Sequence, residues 1–233
     1  MIGEIINKIK GELPATVKLV AVSKFHPFEA IEEAYQAGQR AFGESRPQEL
    51  MAKIKRLEEL RAERGEPDYM SDIEWHFIGH LQTNKLKMVL PYVTLVQSVD
   101  SERLLEAINS WGAANSKVID VLLEPHVAAE ETKQGFDPEN IASVLRDASE
   151  GKYGFMRFKG IMGMATFTDD ESVIREDFRR LRVVFDNVRQ EFPKIAEDFS
   201  EFSIGMSDDY RTAIEYGSTM IRIGSMIFGE RSY

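Results

Sequence analysis

The sequence predicts an α/β fold: a single (β/α)8 TIM-type barrel domain over residues 1–233, preceded by an extra N-terminal helix. Three observations predict it. Short apolar runs alternate with amphipathic helical patterns, which implies parallel strands joined by crossover helices. The alternation repeats to give eight such runs, with one helical pattern ahead of the first. The 233-residue length suits an α/β barrel built as one unit, and no linker or composition shift divides it. An open doubly wound sheet is the competing arrangement of the same elements. No Gly-x-Gly-x-x-Gly follows the first run, which counts against its dinucleotide-binding form.

The elements follow in order. Met1 to Leu13 mixes Ile2, Ile5, Ile6 and Ile9 with Glu4, Lys8, Lys10 and Glu12, the pattern of an amphipathic helix. The first strand is Val17 to Val22, and its helix runs from about Pro27 to Ala37, closed by Gly38. The second strand is Arg40 to Gly43, followed by a long helix with Leu50, Ile54 and Leu57 on one face. The third is Ile73 to Ile78, with a short helix near Thr83 to Leu90 that stops at Pro91. Tyr92 to Gln97 is the fourth, and Leu104, Leu105, Ile108 and Trp111 mark its helix. The fifth, Val118 to Leu123, is almost wholly apolar, as a strand buried on both faces requires. Asp137-Pro138 reads as an N-cap with proline at the first helical position. The sixth strand lies near Phe158 to Met162, and Phe178, Leu181, Phe185 and Val188 stripe the helix after it. A weak seventh falls at Glu201 to Ser203. A short helix from Asp208 to Tyr216 then leads to the eighth, Thr219 to Ile223.

Composition limits the partners. The formal net charge is −10, which argues against nucleic acid, because phosphate contacts need clustered Lys and Arg. One anionic cofactor is still compatible, since a local pocket can oppose the global charge. The absence of cysteine removes disulfides, thiolate metal sites and cysteine nucleophiles. The N-terminus lacks the unbroken apolar stretch of a signal peptide. No apolar run reaches the ~18 residues of a membrane span. A cytoplasmic protein with no membrane partner is the expectation.

Active sites of such barrels gather where the strands end. Strand one ends at Ser23-Lys24. A lysine near low-dielectric walls has a lowered pKa, and its neutral amine can attack an aldehyde to form a Schiff base. A solvated lysine at a strand end is the plainer reading of position alone. Gly205-Met206-Ser207-Asp208-Asp209 leads from strand seven into a short helix, with Ser207 as a natural N-cap. Gly224-Ser225 follows strand eight. Barrel phosphate sites are often built from these two loops. Ordinary capping and turn glycines are the alternative. Arg222 alternates with apolar neighbours and points inward, where it needs an acceptor: a pyridine nitrogen, or a neighbouring carboxylate. His76 and His80 are four apart but sit on a strand and turn, which does not make a helical zinc pair, and no metal is expected. Met162 and Met164 suit either a pocket lining or core packing. The charged helix from Lys53 to Arg64 reads as a solvated face.

Taken together, these segments resemble the pyridoxal-phosphate homeostasis proteins, a family related to the N-terminal barrel of alanine racemase. The matching segments are Val20 to Lys24, Phe42-Gly43-Glu44, Trp75 to Lys85, Ser98-Val99-Asp100, Glu131 to Gly135, Gly160 to Met164, Ser203 to Asp209, and Gly217 to Gly229. They span nearly the whole chain. The resemblance implies pyridoxal 5'-phosphate (PLP) as cofactor and Lys24 as its Schiff-base lysine. It implies phosphate contacts from Ser207, Gly224 and Ser225, and a ring-nitrogen contact from Arg222. His76 and Met162 complete the expected cofactor-binding set. Relatives often carry Asn where this chain has Ser45, and Thr where it has Ser225; the second change keeps a hydroxyl.

The function this implies is that of a PLP-binding protein that holds the cofactor and serves intracellular PLP and vitamin B6 homeostasis, with no robust catalytic activity. PLP-dependent apoenzymes are the expected recipients, and a monomer is the expected state. The alternative is a PLP-dependent amino-acid racemase or related enzyme, with Lys24 as one base and His76 or Tyr210 as the other. Racemases of this kind draw their second base from a tyrosine of an additional domain. This sequence stops at Tyr233, directly after the barrel, so the racemase is the less favoured reading. A PLP-free Schiff-base aldolase is a third.

Overall fold

Eight parallel strands pair in sequence order, and the last pairs with the first to close a barrel. The computed structural model describes residues 1–129 and 135–229. The strands are β1 (Lys18–Val22), β2 (Ala41–Glu44), β3 (Glu74–Phe77), β4 (Leu95–Val99), β5 (Ile119–Leu123), β6 (Met156–Met162), β7 (Glu201–Ser203) and β8 (Met220–Ile223). The helices are α1 (Ile2–Glu12), α2 (Phe28–Gln36), α3 (Pro47–Arg64), α4 (Leu86–Val89), α5 (Glu102–Asn115), α6 (Pro138–Ser149), α7 (Glu171–Glu191), α8 (Pro193–Ala196), α9 (Tyr210–Glu215) and α10 (Ser225–Phe228). The closed sheet and the N-terminal helix α1 agree with the fold the sequence predicts. The motif segment Glu131 to Gln134 and the terminal Tyr233 lie outside the described residues.

Local chemistry sets several boundaries. Asp137 caps α6, its Oδ1 accepting from the Glu139 N–H at 3.1 Å, and Pro138 fills the first position. Gly38 ends the α2 segment at φ +84, a left-handed conformation that favours glycine. Two expectations shift. β4 starts at Leu95, because residues 91 and 92 form a turn after α4. The helix after β7 starts at Tyr210, not Asp208, and its N-cap is Asp209, so Ser207 does not cap it. The four-residue α8 has no counterpart in the sequence pattern.

Strand alternation divides the core in two. Outward-facing side chains such as Leu19, Phe42, Phe77 and Phe202 pack under the helices in one large apolar layer. The barrel interior holds a smaller apolar set: Val20, Ala41, Leu95, Leu122, Met162 and Met220. Several buried polar side chains join that interior, among them His76, Gln97, Ser203 and Arg222.

Candidate functional site

A cavity of about 270 Å³ opens at the C-terminal mouth of the barrel. It brings together Lys24 from the turn after β1, Met162 from β6, Arg222 from β8, Ser207 from the loop after β7, and Gly224 and Ser225 from the loop after β8. These are the residues expected from the sequence, His76 excepted. Ser45, His26, Met164 and Phe167 also line it.

The backbone next to Lys24 is held from several sides. Ser23 is fully buried and donates its hydroxyl to Glu44 Oε1 at 2.5 Å. Lys53 Nζ donates to the Ser23 carbonyl at 2.8 Å and to the same Glu44 oxygen at 2.5 Å. Phe25 takes φ +69, and its N–H donates to Glu49 Oε2 at 2.9 Å. Burial outweighs the Lys53 ammonium and pushes the Glu44 carboxyl above its usual range. Among the described residues its Oε2 has no hydrogen-bond partner. Lys53 is therefore not on a solvated face: its side chain is 7% exposed and ion-paired. The spacing already hinted at this, because Lys53 falls between Leu50 and Leu57 on the apolar stripe of α3.

The two loops after β7 and β8 form a polar corner. Ser225 Oγ donates to Ser207 Oγ at 3.2 Å. A Cβ at Gly224 would sit 3.2 Å from the Val22 carbonyl oxygen and 3.3 Å from Val22 Cβ, so only glycine leaves this wall open without crowding β1. Asp209 Oδ1 accepts from the Met206 N–H at 2.5 Å and fixes the turn that presents Ser207.

Arg222 forms the floor. Its Nη1 donates to the Ser203 carbonyl at 2.7 Å and to Ser203 Oγ at 2.8 Å, and its Nη2 donates to the Gly163 carbonyl at 2.9 Å. No carboxylate pairs with it among the described residues, which removes the ion-pair alternative. Nε has no partner there either, so its N–H remains available to the cavity. Burial pulls Arg222 down to about 10, opposed by Glu124 and Asp209, and it stays protonated at neutral pH. At the end of β5, the buried Glu124 is pushed up to about 8 by burial and by the Asp100 carboxylate.

The structure moves two expected residues away from this site. His76 faces the barrel interior at the opposite, N-terminal end, where it shares a small cavity with Lys18, Glu74, Asp120 and Glu201. On β3 it is level with Leu95, the first residue of β4, and that register keeps it low in the barrel. Tyr210 is buried on α9, and its hydroxyl donates to Glu12 Oε2 of α1 at 3.2 Å. Neither residue can serve as a second base opposite Lys24. A larger groove of about 740 Å³ lies between α1 and the N-terminal strand ends. Its charged lining is already engaged: Lys18 with Glu74 at 3.0 Å, and Lys10 with the Gly38 carbonyl at 2.8 Å. The mouth cavity is the better-built site.

Comparison with known proteins agrees with this architecture. Residues 3–232 match the family described as alanine racemase, N-terminal domain. The chain is 38% identical over 216 residues to the pyridoxal phosphate homeostasis protein of Aquifex aeolicus (strain VF5), covering 93% of this chain and 88% of that one. It superposes on PipY of Synechococcus elongatus PCC7942, solved with PLP bound, with a TM-score of 0.86 and 31% identity, over 98% of this chain and 100% of PipY. An alanine racemase of Clostridium difficile 630 shares the fold alone, at 14% identity and a TM-score of 0.72, over 100% of this chain and 57% of the racemase.

Proposed function

The chain belongs to the alanine racemase N-terminal domain family, among the pyridoxal phosphate homeostasis proteins, and from that premise we propose that its mouth cavity holds PLP on Lys24. PLP supplies an aldehyde that condenses with a neutral amine, its carbonyl oxygen leaving as water, and a phosphate that needs hydrogen-bond donors. The residues present fit both demands. Lys24 provides the amine. The paired hydroxyls of Ser207 and Ser225 and the crowded, side-chain-free wall at Gly224 provide a phosphate cradle. Arg222 would offer a donor to the ring nitrogen, and Met162 would give the ring an apolar contact.

The observation that carries this reading is the convergence of an amine from β1, a guanidinium from β8 and two hydroxyls from neighbouring loops on one cavity. A guanidinium can only donate, so it favours an unprotonated ring nitrogen and a weak electron sink. With His76 and Tyr210 turned elsewhere, the site is suited to holding the cofactor rather than to racemising amino acids. The protein thus serves PLP and vitamin B6 homeostasis. Cytoplasmic residence, a monomeric state and PLP-dependent apoenzymes as recipients belong to the same proposal. The net charge of −10 supports the exclusion of nucleic acid as a partner. Among the described residues no helix is long and apolar enough to cross a membrane.

Titration of the apoprotein with PLP, followed by visible absorbance, tests the reading. A saturable Schiff-base band in the wild type, absent from Lys24→Ala, is the expected result. An equal band in Lys24→Ala overturns the anchor. Rapid turnover of amino acids by the loaded protein overturns the holding role.

A further inference from the structure

A chain of hydrogen bonds runs through the barrel interior from Arg222 to His76, and a longer polar contact extends it to Glu74. It starts at Arg222 in the mouth cavity, where Nη1 donates to Ser203 Oγ at 2.8 Å. Ser203 Oγ donates to Gln97 Oε1 at 2.7 Å. Gln97 Nε2 lies 2.8 Å from His76 Nδ1. His76 Nε2 lies 3.6 Å from Glu74 Oε2, in the small cavity at the far end. Ser203 and Gln97 are fully buried, and His76 is 2% exposed.

The polarity of this chain can be followed from its Arg222 end. Arg222 carries donors only, so Ser203 Oγ accepts from it, and the Ser203 hydroxyl in turn donates to Gln97 Oε1. Gln97 therefore turns its NH2 to His76, with Met220 Sδ 3.2 Å away as a second, weak acceptor. His76 Nδ1 must then be an acceptor, and the proton sits on Nε2, facing Glu74. A protonated imidazole would set two donors against each other at Nδ1. Burial and Lys18 hold His76 below its usual range against the opposing pull of Glu74 and Glu201, which keeps the ring neutral. Asp120 and Lys159 complete the charged lining of that small cavity.

A buried polar chain costs desolvation that an apolar core would avoid, and it is retained at no loss only if every member is satisfied. Here apolar side chains surround it, Val20, Ala41, Leu95 and Leu122 among them. Among the described residues, it reaches the mouth cavity through Arg222. We propose that Ser203, Gln97 and His76 are positioning residues that fix the orientation of Arg222, and with it the donor offered to the ring of a bound cofactor. This rests on the reading of the mouth cavity as a PLP site. The chain acts at a distance: Gln97 and His76 do not line that cavity.

The test uses the full-length protein and four variants. In the apoprotein with 15N-labelled histidine, the His76 ring nitrogens should report Nε2–H with Nδ1 unprotonated. Gln97→Glu keeps the acceptor for Ser203 but removes the NH2, and should switch His76 to Nδ1–H. Gln97→Met and Ser203→Ala, checked for folding by unfolding midpoint, should raise the PLP dissociation constant about tenfold, the value of roughly one hydrogen bond. The absorbance of bound PLP should also become pH-dependent in both, as the ring nitrogen loses its fixed donor. A merely structural role would shift the midpoint and leave that spectrum unchanged. The Nδ1–H tautomer in the wild type, or folded Gln97→Met and Ser203→Ala with wild-type dissociation constant and spectrum, overturns the proposal. Lys24→Ala separates the underlying reading: it should lose the Schiff-base band and keep the His76 tautomer. A wild type without the band refutes the PLP site itself, and the positioning role with it.

Discussion

The hydroxyls of Ser207 and Ser225 stand 3.2 Å apart, although 18 positions separate them in the chain. Adjacency of β7 and β8 brings their following loops together. The two hydroxyls present one polar surface to the mouth cavity, with Gly224 beside them.

That pair should recognise phosphate and nothing else of the cofactor. Replacing both serines by alanine removes two hydrogen bonds to a charged group, each worth about 1.5–3 kcal/mol. PLP binding should weaken by roughly a hundredfold or more, while binding of pyridoxal, which lacks the phosphate, should be unchanged. Calorimetric titration with both ligands checks this. Equal weakening for the two would place the phosphate elsewhere.

Arg222→Met should do double damage. The Ser203 and Gly163 carbonyls and Ser203 Oγ would lose their buried donor. Unsatisfied buried groups cost about 1–3 kcal/mol each, less whatever water recovers. Denaturant unfolding of the apoprotein should show a loss of that order, and PLP affinity should fall as well. Arg222→Lys should not rescue both, because one ammonium cannot reproduce the planar fork.

The buried pair Lys53–Glu44 makes a separate prediction. Lys53→Met leaves a carboxylate with no counter-ion next to Ser23 and should cost about 3–5 kcal/mol. The double variant Lys53→Met with Glu44→Gln should recover much of that loss. Because Lys53 also holds the Ser23 carbonyl, the single variant should slow Schiff-base formation at Lys24 in stopped-flow absorbance. A single variant as stable as the wild type would contradict the assignment.

Glu124 should give the apoprotein a pH-dependent stability term. Its folded value of about 8 lies above the ordinary 4.5. Between those values the folded state keeps a proton that the unfolded state has released. Stability therefore falls as pH rises from about 4.5 through about 8. Glu124→Gln is neutral throughout and should remove that slope, a difference of the order of a few kcal/mol across the window. Parallel urea titrations at several pH values measure it. Identical slopes in the two proteins would mean the carboxyl is not held in its burial-shifted state.

Much of this was legible in the sequence, for identifiable reasons. The apolar run at β5 and the Asp137-Pro138 cap are local signals, and local chemistry forms them in the structure. Lys24, Ser207, Arg222, Gly224 and Ser225 converge because the eight-strand count fixes which loops are neighbours. His76 escaped because depth inside a barrel depends on the register between strands. Nothing in Trp75-His76-Phe77 states that His76 lies level with Leu95. Lys53 escaped because a helix with this many charges reads as a solvated face, and its partner Glu44 belongs to a strand whose outward face is visible only after closure. Ser207 does not cap the helix, because two more residues of turn place Asp209 there.

The central claim is that Lys24 carries PLP. Reduction of the PLP-loaded protein with borohydride, followed by peptide mapping by mass spectrometry, tests it most directly. The account predicts one phosphopyridoxyl group per chain, on Lys24. Modification centred on another lysine, or no stable modification at saturating PLP, would contradict it.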